Sequence, residues 1–192
     1  MSQLIIAFDN ETTGLPDWKA PSESQHQPHI VEIAALLHTP DGAVIDSYKA
    51  IVRPDGWTIP DDIAQLTGIT QEVALEVGIP EAEALDGFMA LYARAGIRAA
   101  HNATFDDRII RIALMRYRDE AAADAFKEAT QKYCTCNQSR GPVGLKKLPT
   151  LAEAYKHFFG EDLVEAHRAM PDAQACARIY FALQGITLPA AA

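Results

Sequence analysis

The sequence predicts an α/β domain with a mixed sheet. Three observations carry this. Apolar runs of strand length come first and are joined by a tight turn; further on, short apolar runs alternate with stretches of helical period. The chain has 192 residues, 48% apolar and 22% charged, which suits one domain with a sizeable core and argues against disorder. No stretch approaches the ~18 consecutive apolar residues of a transmembrane helix.

Gln3–Phe8 is an apolar run ending in Asp9, the pattern of a buried strand. The residues before it carry no basic cluster, so this start reads as a first strand and not as a signal peptide. Leu15–His29, rich in Pro, Ser, Gln and His, is a surface loop. Ile30–Leu37 and Ala43–Val52 form the next strands, joined by the turn Pro40-Asp41-Gly42. Pro60–Leu66 and Gln71–Val77 are short helices separated by Gly68, and Glu81–Ala95 is a longer one stopped by Gly96. Ile97–Ala100 is a short strand leading into His101-Asn102. A strong helix then runs from Thr104 to Arg118, where Thr104 and Asp107 fit a capping box. A last strand falls near Lys132–Thr135, followed by a basic loop over Asn137–Pro149. Thr150–Phe159 is a helix ended by Gly160. Pro171 opens the first turn of a final helix to Gln184. Residues 1–187 make one domain and 188–192 a short tail.

The 17 basic and 26 acidic residues give a net charge of −9. That argues against a protein that coats duplex nucleic acid, which needs many phosphate contacts. It leaves open an enzyme that grips one strand end. Residues 1–100 hold 5 basic and 15 acidic residues, whereas 101–192 hold 12 and 11. Arg140, Lys146 and Lys147 cluster in an acid-free stretch and are candidate phosphate contacts, with solvated loop charges as the alternative. The three cysteines, Cys134, Cys136 and Cys176, are too few and too odd in number for a disulfide framework. They point to free thiols in a reducing, cytoplasmic setting. The Cys134-x-Cys136 pair lacks a second pair to complete a zinc site.

Four acids stand where acids are unexpected. Asp9 and Glu11 follow a fully apolar strand and are followed by Thr12-Thr13-Gly14. Two residues apart in a strand they share a face, at the carboxyl end where open α/β sheets bind ligands. Alone, the pair is also explained as solvated acids at a strand end. Asp106 opens an apolar helical stripe with Ile109, Ile110, Ala113 and Tyr117. Asp172 opens another with Cys176, Ile179, Tyr180 and Leu183. A carboxylate on a buried stripe has to be paired, hydrogen-bonded or metal-bound, although either acid alone is equally explained by the helix dipole. Together, converging carboxylates repel one another, and divalent cations with a taste for oxygen, Mg²⁺ or Mn²⁺, relieve this. Two such ions serve phosphodiester cleavage. His167, five residues before Asp172, is a candidate base with a suitable pKa near neutrality. His101 beside Asn102 either shapes the site or packs.

Three ordered motifs carry a resemblance: Phe8-Asp9-Asn10-Glu11-Thr12-Thr13-Gly14-Leu15, His101-Asn102-Ala103-Thr104-Phe105-Asp106, and His167-Arg168-Ala169-Met170-Pro171-Asp172-Ala173. The chain resembles the DEDDh group of 3′–5′ exonucleases, most of all the exonuclease domain of bacterial polymerase III epsilon subunits. The resemblance implies a ribonuclease-H-like fold: a mixed five-stranded sheet with helices on both faces. It implies that Asp9, Glu11, Asp106 and Asp172 bind two divalent metal ions and that His167 is the general base. It implies that the backbone at Thr12, Thr13 and Gly14 holds the terminal nucleotide, that Leu15 wedges against a base, and that Asn102 and Phe105 line the pocket; His101 stays a candidate substrate contact with a packing role as the alternative. Arg168, where the sister group has Tyr, is a further candidate phosphate contact. Asn10 departs from the family pattern and is expected to point away from the metals. Met170 replaces a common Leu, and the loop Pro16–Pro28 is longer than in minimal members.

The leading functional expectation is a stand-alone 3′–5′ exonuclease that releases nucleoside 5′-monophosphates from single-stranded or frayed ends, DNA favoured. Alternatives are a proofreading subunit acting in trans with a DNA polymerase and a 3′–5′ exoribonuclease. A catalytically idle binding module is a reading from another class, disfavoured by the presence of all five catalytic-type residues. Neither a membrane partner nor a particular oligomeric state is indicated.

Overall fold

The computed structural model describes residues 3–188. Met1, Ser2 and all of the expected tail but Leu188 lie outside the described residues. The strands are β1 (Ile5–Thr12), β2 (Ile30–His38), β3 (Val44–Ile51), β4 (Ile97–Ala100) and β5 (Gln131–Cys134). The helices are α1 (Asp61–Thr67), α2 (Gln71–Val77), α3 (Glu81–Tyr92), α4 (Ala103–Tyr117), α5 (Glu120–Ala129), α6 (Thr135–Val143), α7 (Leu151–Phe159) and α8 (Ala169–Leu183).

The sheet order is β3-β2-β1-β4-β5. The first three strands form an antiparallel meander, and β4 and β5 add in parallel on the other side of β1. The expected mixed five-stranded sheet is therefore present. Alternation along β1 sends Ile6 and Phe8 to one face and Ile5 to the other. The first face packs on Leu85 and Phe88 of α3, Ile109, Ile110 and Ala113 of α4, and Phe126 of α5. On the second, Cys176, Tyr180 and Phe181 of α8 meet Ile5 and Ala99, while Ala169 and Ala173 meet Ala34 and Leu36. Small residues let α8 lie close to the sheet. Burying each large side chain in these layers contributes about 1.5–3 kcal/mol.

Two local expectations are corrected, and a segment to which no element was assigned proves helical. Residues 120–129 form α5, capped by the Asp119 side chain on the Ala122 amide, with Ala123 and Phe126 buried. The loop expected over 137–149 begins as helix α6, because Thr135, Cys136 and Ser139 are buried on one face. Gly144, in the left-handed region, ends it and donates to the Arg140 and Gly141 carbonyls. The capping box at Thr104 does not form. Asn102 occupies the cap position without a side-chain bond, and Asp107 instead pairs with buried Arg98, Oδ1 to Nε at 3.0 Å. A capping box does form at Thr150 and Glu153. Among the described residues, no helix is long and apolar enough to cross a membrane.

Candidate active site

β1 and β4 lie side by side and parallel, so their carboxyl ends open onto the same edge. The antiparallel β2 flanks β1 on its other side, which makes this edge the switch point of the sheet. Asp9 and Glu11 stand there on β1. Pairing with β2 slips by one residue between Glu11 and Thr12, an irregularity that re-aims side chains. The α4 helix starts two residues beyond β4 and brings in Asp106, which is 1% exposed at the head of its apolar stripe. The first turn of α8 brings in buried Asp172. All four acids expected from the sequence thus converge.

Their electrostatics follow from crowding. Burial first, then the charges of Asp106, Asp172, Glu11 and Glu32, hold the Asp9 carboxyl well above the usual carboxylate range. Burial does the same for Asp106, partly offset by a hydrogen bond from Asn10. Glu11 is pushed up to about 7 by burial and by Asp172 and Glu32. Asp172 is pushed up to about 6, mostly by burial. The Oδ2 atom of Asp172 accepts the His167 amide at 3.0 Å, while its Oδ1 is buried with no hydrogen-bond partner among the described residues. An orphaned, buried carboxylate oxygen inside a ring of like charges is the chemistry of a hard-cation site. One ligand atom each from Glu11, His167 and Asp172 lie within 4.8 Å of one another. His167 is exposed, in the loop before α8, with φ at 67°.

Asn10 is a correction. It was expected to point away from the metals; it is buried, and its Nδ2 donates to Asp106 Oδ1 at 3.2 Å. The strand alternates as expected, but Asp106 descends from the α4 side and meets Asn10 there. Thr12 Oγ1 donates to the Gly14 carbonyl at 2.8 Å. The Thr13 amide donates to the His29 carbonyl, and the His29 amide to Thr13 Oγ1, both at 3.0 Å. These bonds fix the backbone after β1 and leave Leu15 projecting, 83% exposed. Asn102 is exposed in the left-handed region with φ at 68°, and Phe105 packs its half-buried ring against the core.

Other expected substrate contacts are engaged elsewhere. Both ring nitrogens of His101 are used, Nδ1 with Thr135 Oγ1 at 3.0 Å and Nε2 with the Pro149 carbonyl at 3.1 Å. The ring ties α6 and the segment before α7 to the site. Arg168 turns back to Glu32 in a two-pronged pair. Arg140 donates to the Lys146 carbonyl, Lys147 pairs with Glu153, and Lys146 is exposed. Sequence reasoning passed over Glu32. Its signal was an acid inside the otherwise apolar run Ile30–Leu37, directly opposite Glu11 in the strand register.

A family model described as an exonuclease, of the RNase T type, matches residues 6–180. The chain belongs to this exonuclease family. The resemblance read from the three motifs is borne out at the level of the DEDD-type 3′–5′ exonuclease family. The exonuclease domain is 29% identical over 179 residues to a PolC-type DNA polymerase III of Caldanaerobacter subterraneus, covering 92% of this chain and 11% of that protein. The chain thus spans about a tenth of that relative's length. It superposes on E. coli exonuclease I in complex with a dA16 oligonucleotide with a TM-score of 0.72 at 20% identity, covering 95% of this chain and 41% of the other. A zinc-ion-bound E. coli exonuclease I–ssDNA complex gives 0.73 at 21% identity, covering 94% and 40%. These neighbours share the ribonuclease-H-like fold.

Proposed function

We propose that this exonuclease domain, residues 1–187, removes nucleoside 5′-monophosphates from the 3′ end of single-stranded or frayed nucleic acid, DNA favoured. The observation that carries the reading is the convergence of Asp9, Glu11, Asp106 and Asp172 on one strand edge with His167 beside them. Two divalent cations, Mg²⁺ or Mn²⁺, suit these donors: all four are carboxylates, their charges oppose one another, and Asp172 keeps an oxygen free. When bound, such ions supply Lewis acidity to the attacking water and neutralise charge on the leaving oxygen.

The chain's own groups do the rest. Asn10 holds one oxygen of Asp106 and so sets the direction of the other. The His167 amide does the same for Asp172. The exposed His167 imidazole accepts the proton of the attacking water at a ring nitrogen. The P–O bond to the preceding nucleotide's 3′ oxygen breaks. The products are a 5′-monophosphate and a strand with a new 3′ hydroxyl. The rigid backbone at Thr12–Gly14 holds the terminal nucleotide, Leu15 wedges against its base, and Asn102 and Phe105 line the pocket.

The test is hydrolysis of matched single-stranded, duplex and mismatched DNA and RNA with Mg²⁺ or Mn²⁺, reading product sizes. Mononucleotides appearing from the 3′ end support the proposal. Internal fragments, or no metal-dependent product, overturn it. Faster loss of RNA would make the domain an exoribonuclease. The PolC relative favours a second reading, proofreading in trans with a cytoplasmic DNA polymerase. A polymerase that co-purifies with the domain and makes it prefer mismatched ends would establish that reading.

A further inference from the structure

We infer that Glu32 and Arg168 form a latch that holds the His167 loop over the acid cluster, which makes both of them positioning residues. The inference rests on the exonuclease reading, in which His167 accepts the proton.

Glu32 is the one acid of β2 and is 3% exposed. Burying a lone carboxylate there would cost several kcal/mol. Three donors offset that cost. Arg168 Nη2 donates to Oε1 at 2.8 Å, Arg168 Nε to Oε2 at 3.0 Å, and the Ala169 amide to Oε2 at 2.9 Å. Ala169 is the first residue of α8, so its N–H has no partner within the helix. One strand residue thus binds both residues that follow His167. Asp172 binds the amide of His167 itself. The chain is therefore fixed at three successive residues, 167, 168 and 169.

Before them little holds the loop. Val164, Glu165 and Ala166 are all exposed, and so is the His167 side chain that follows them. Glu165 and His167 both sit in the left-handed region, with φ at 55° and 67°. Such conformations cost a side-chain-bearing residue about 1–3 kcal/mol and persist where the surroundings impose them. The latch is the imposing contact. Its anchor lies directly across the strand pair from Glu11, so the base-bearing loop is referenced to the strand that carries two of the acids. Both Glu32 oxygens are committed to the loop, which separates Glu32 from the cation-binding set. Nε and Nη2 of Arg168 are spent on it, which separates Arg168 from the phosphate contacts.

The experiment compares the full chain with Arg168→Ala, Glu32→Gln and the double variant, using steady-state hydrolysis of a single-stranded oligonucleotide with Mn²⁺. Hydrogen exchange of the amides of residues 167–169 is followed in parallel without substrate. The latch predicts a kcat loss of about 10–100-fold in each single variant, as expected for a displaced catalytic group. KM changes less than about twofold, and the double variant is no worse than the poorer single one. Exchange at Ala169 speeds up at least about tenfold. If Arg168→Ala raises KM with kcat intact while Glu32→Gln is neutral, Arg168 is a phosphate contact and the latch is overturned. Unchanged exchange and unchanged kcat overturn it too, even where the melting temperature falls. Should Glu32→Gln not fold, Arg168→Ala, with its side chain 41% exposed, carries the test alone. An inactive wild-type chain would defeat the exonuclease reading, and the exchange data would still decide whether the loop is latched.

Discussion

Two sets of buried and half-buried acids in this molecule have opposite surroundings. Glu81, at the start of α3, accepts from His29 Nδ1 at 2.7 Å, the Ile30 amide at 2.9 Å, Arg116 Nη1 at 3.2 Å and the Tyr117 hydroxyl at 2.8 Å. Burial pushes its pKa up, but these donors outweigh burial and leave it below its usual value. The Asp9, Glu11, Asp106 and Asp172 group is equally crowded, yet its pKa values rise. What differs is the partner. Glu81 meets donors from three elements and ties the loop before β2 to α3 and α4. The strand-edge acids mostly meet one another. Burial therefore does not distinguish a structural acid from a ligand-binding one; the supply of donors does.

The largest effect that would break this contrast is loss of chemistry. Asp9→Ala should lower hydrolysis by at least about three orders of magnitude, equivalent to ~4 kcal/mol of barrier. The metal-free variant should melt no lower than wild type, because a mutually repelled charge is gone. Near-wild-type activity would remove Asp9 from the reaction. His167→Ala should lower kcat by about 10²–10⁴-fold, the range for a general base. Mn²⁺ affinity measured by calorimetry should stay close to wild type; a large loss there would make His167 a ligand instead.

Glu81→Ala should do the reverse of Asp9→Ala. It strands Arg116, whose side chain is 19% exposed, and should cost about 3–5 kcal/mol of stability by denaturant titration. The folded fraction should keep most of its turnover. A stable but inactive Glu81→Ala would mean that the two acid sets are not separable.

The contrast also has a pH signature. Acids raised in the folded state contribute stability below their unfolded pKa and lose it as pH rises through the folded value. For Glu11 and Asp172 those folded values are about 7 and about 6. Glu81, being lowered, contributes above its usual value and loses its contribution as pH falls. The metal-free protein should accordingly melt highest near pH 5, and its melting temperature should decline towards pH 8. Saturating Mn²⁺ should flatten that decline. A melting temperature that rises from pH 5 to 8 without metal would contradict the repulsion assigned to the cluster.

The acids of the cluster were legible in the sequence because each interrupts an apolar pattern. Asp9 ends an apolar run, and Asp106 and Asp172 open apolar stripes. The same logic extends to Glu32, which interrupts the run Ile30–Leu37. What concealed it was register: only the pairing with Glu11 and the approach of Arg168, 136 residues away, show what it binds. Asp107 misled for a related reason. A local capping pattern competed with a buried Arg98 on β4, and the two-pronged guanidinium–carboxylate pair prevailed over the single capping bond. Asn10 was expected to point away from the metals because it alternates with Asp9 along the strand, yet Asp106 comes down on its side. Helix α5 was passed over although its pattern is amphipathic, with Ala123 and Phe126 on its buried face, and α6 because Gly141 and Pro142 disguise its last turn. Periodicity reports which face of an element is buried, and it is silent on which distant side chain arrives there.

The smallest expected effect concerns the basic segment. If Arg140, Lys146 and Lys147 all met phosphates, removing them would make the log–log salt dependence of single-strand binding shallower by about 2, at ~0.7 per contact. The structure argues for less. Lys147 Nζ lies 2.8 Å from Glu153, and Arg140 donates to the Lys146 carbonyl at 3.1 Å. Lys146 is the member of the trio with no such tie among the described residues. The triple alanine variant should therefore flatten the slope by about 0.7, and Lys146→Ala alone should reproduce nearly all of it. A full change of about 2 would show that these internal ties yield to the substrate. In that case an exposed salt bridge such as Lys147–Glu153, worth at most ~1 kcal/mol, would be a resting arrangement and not a fixed one.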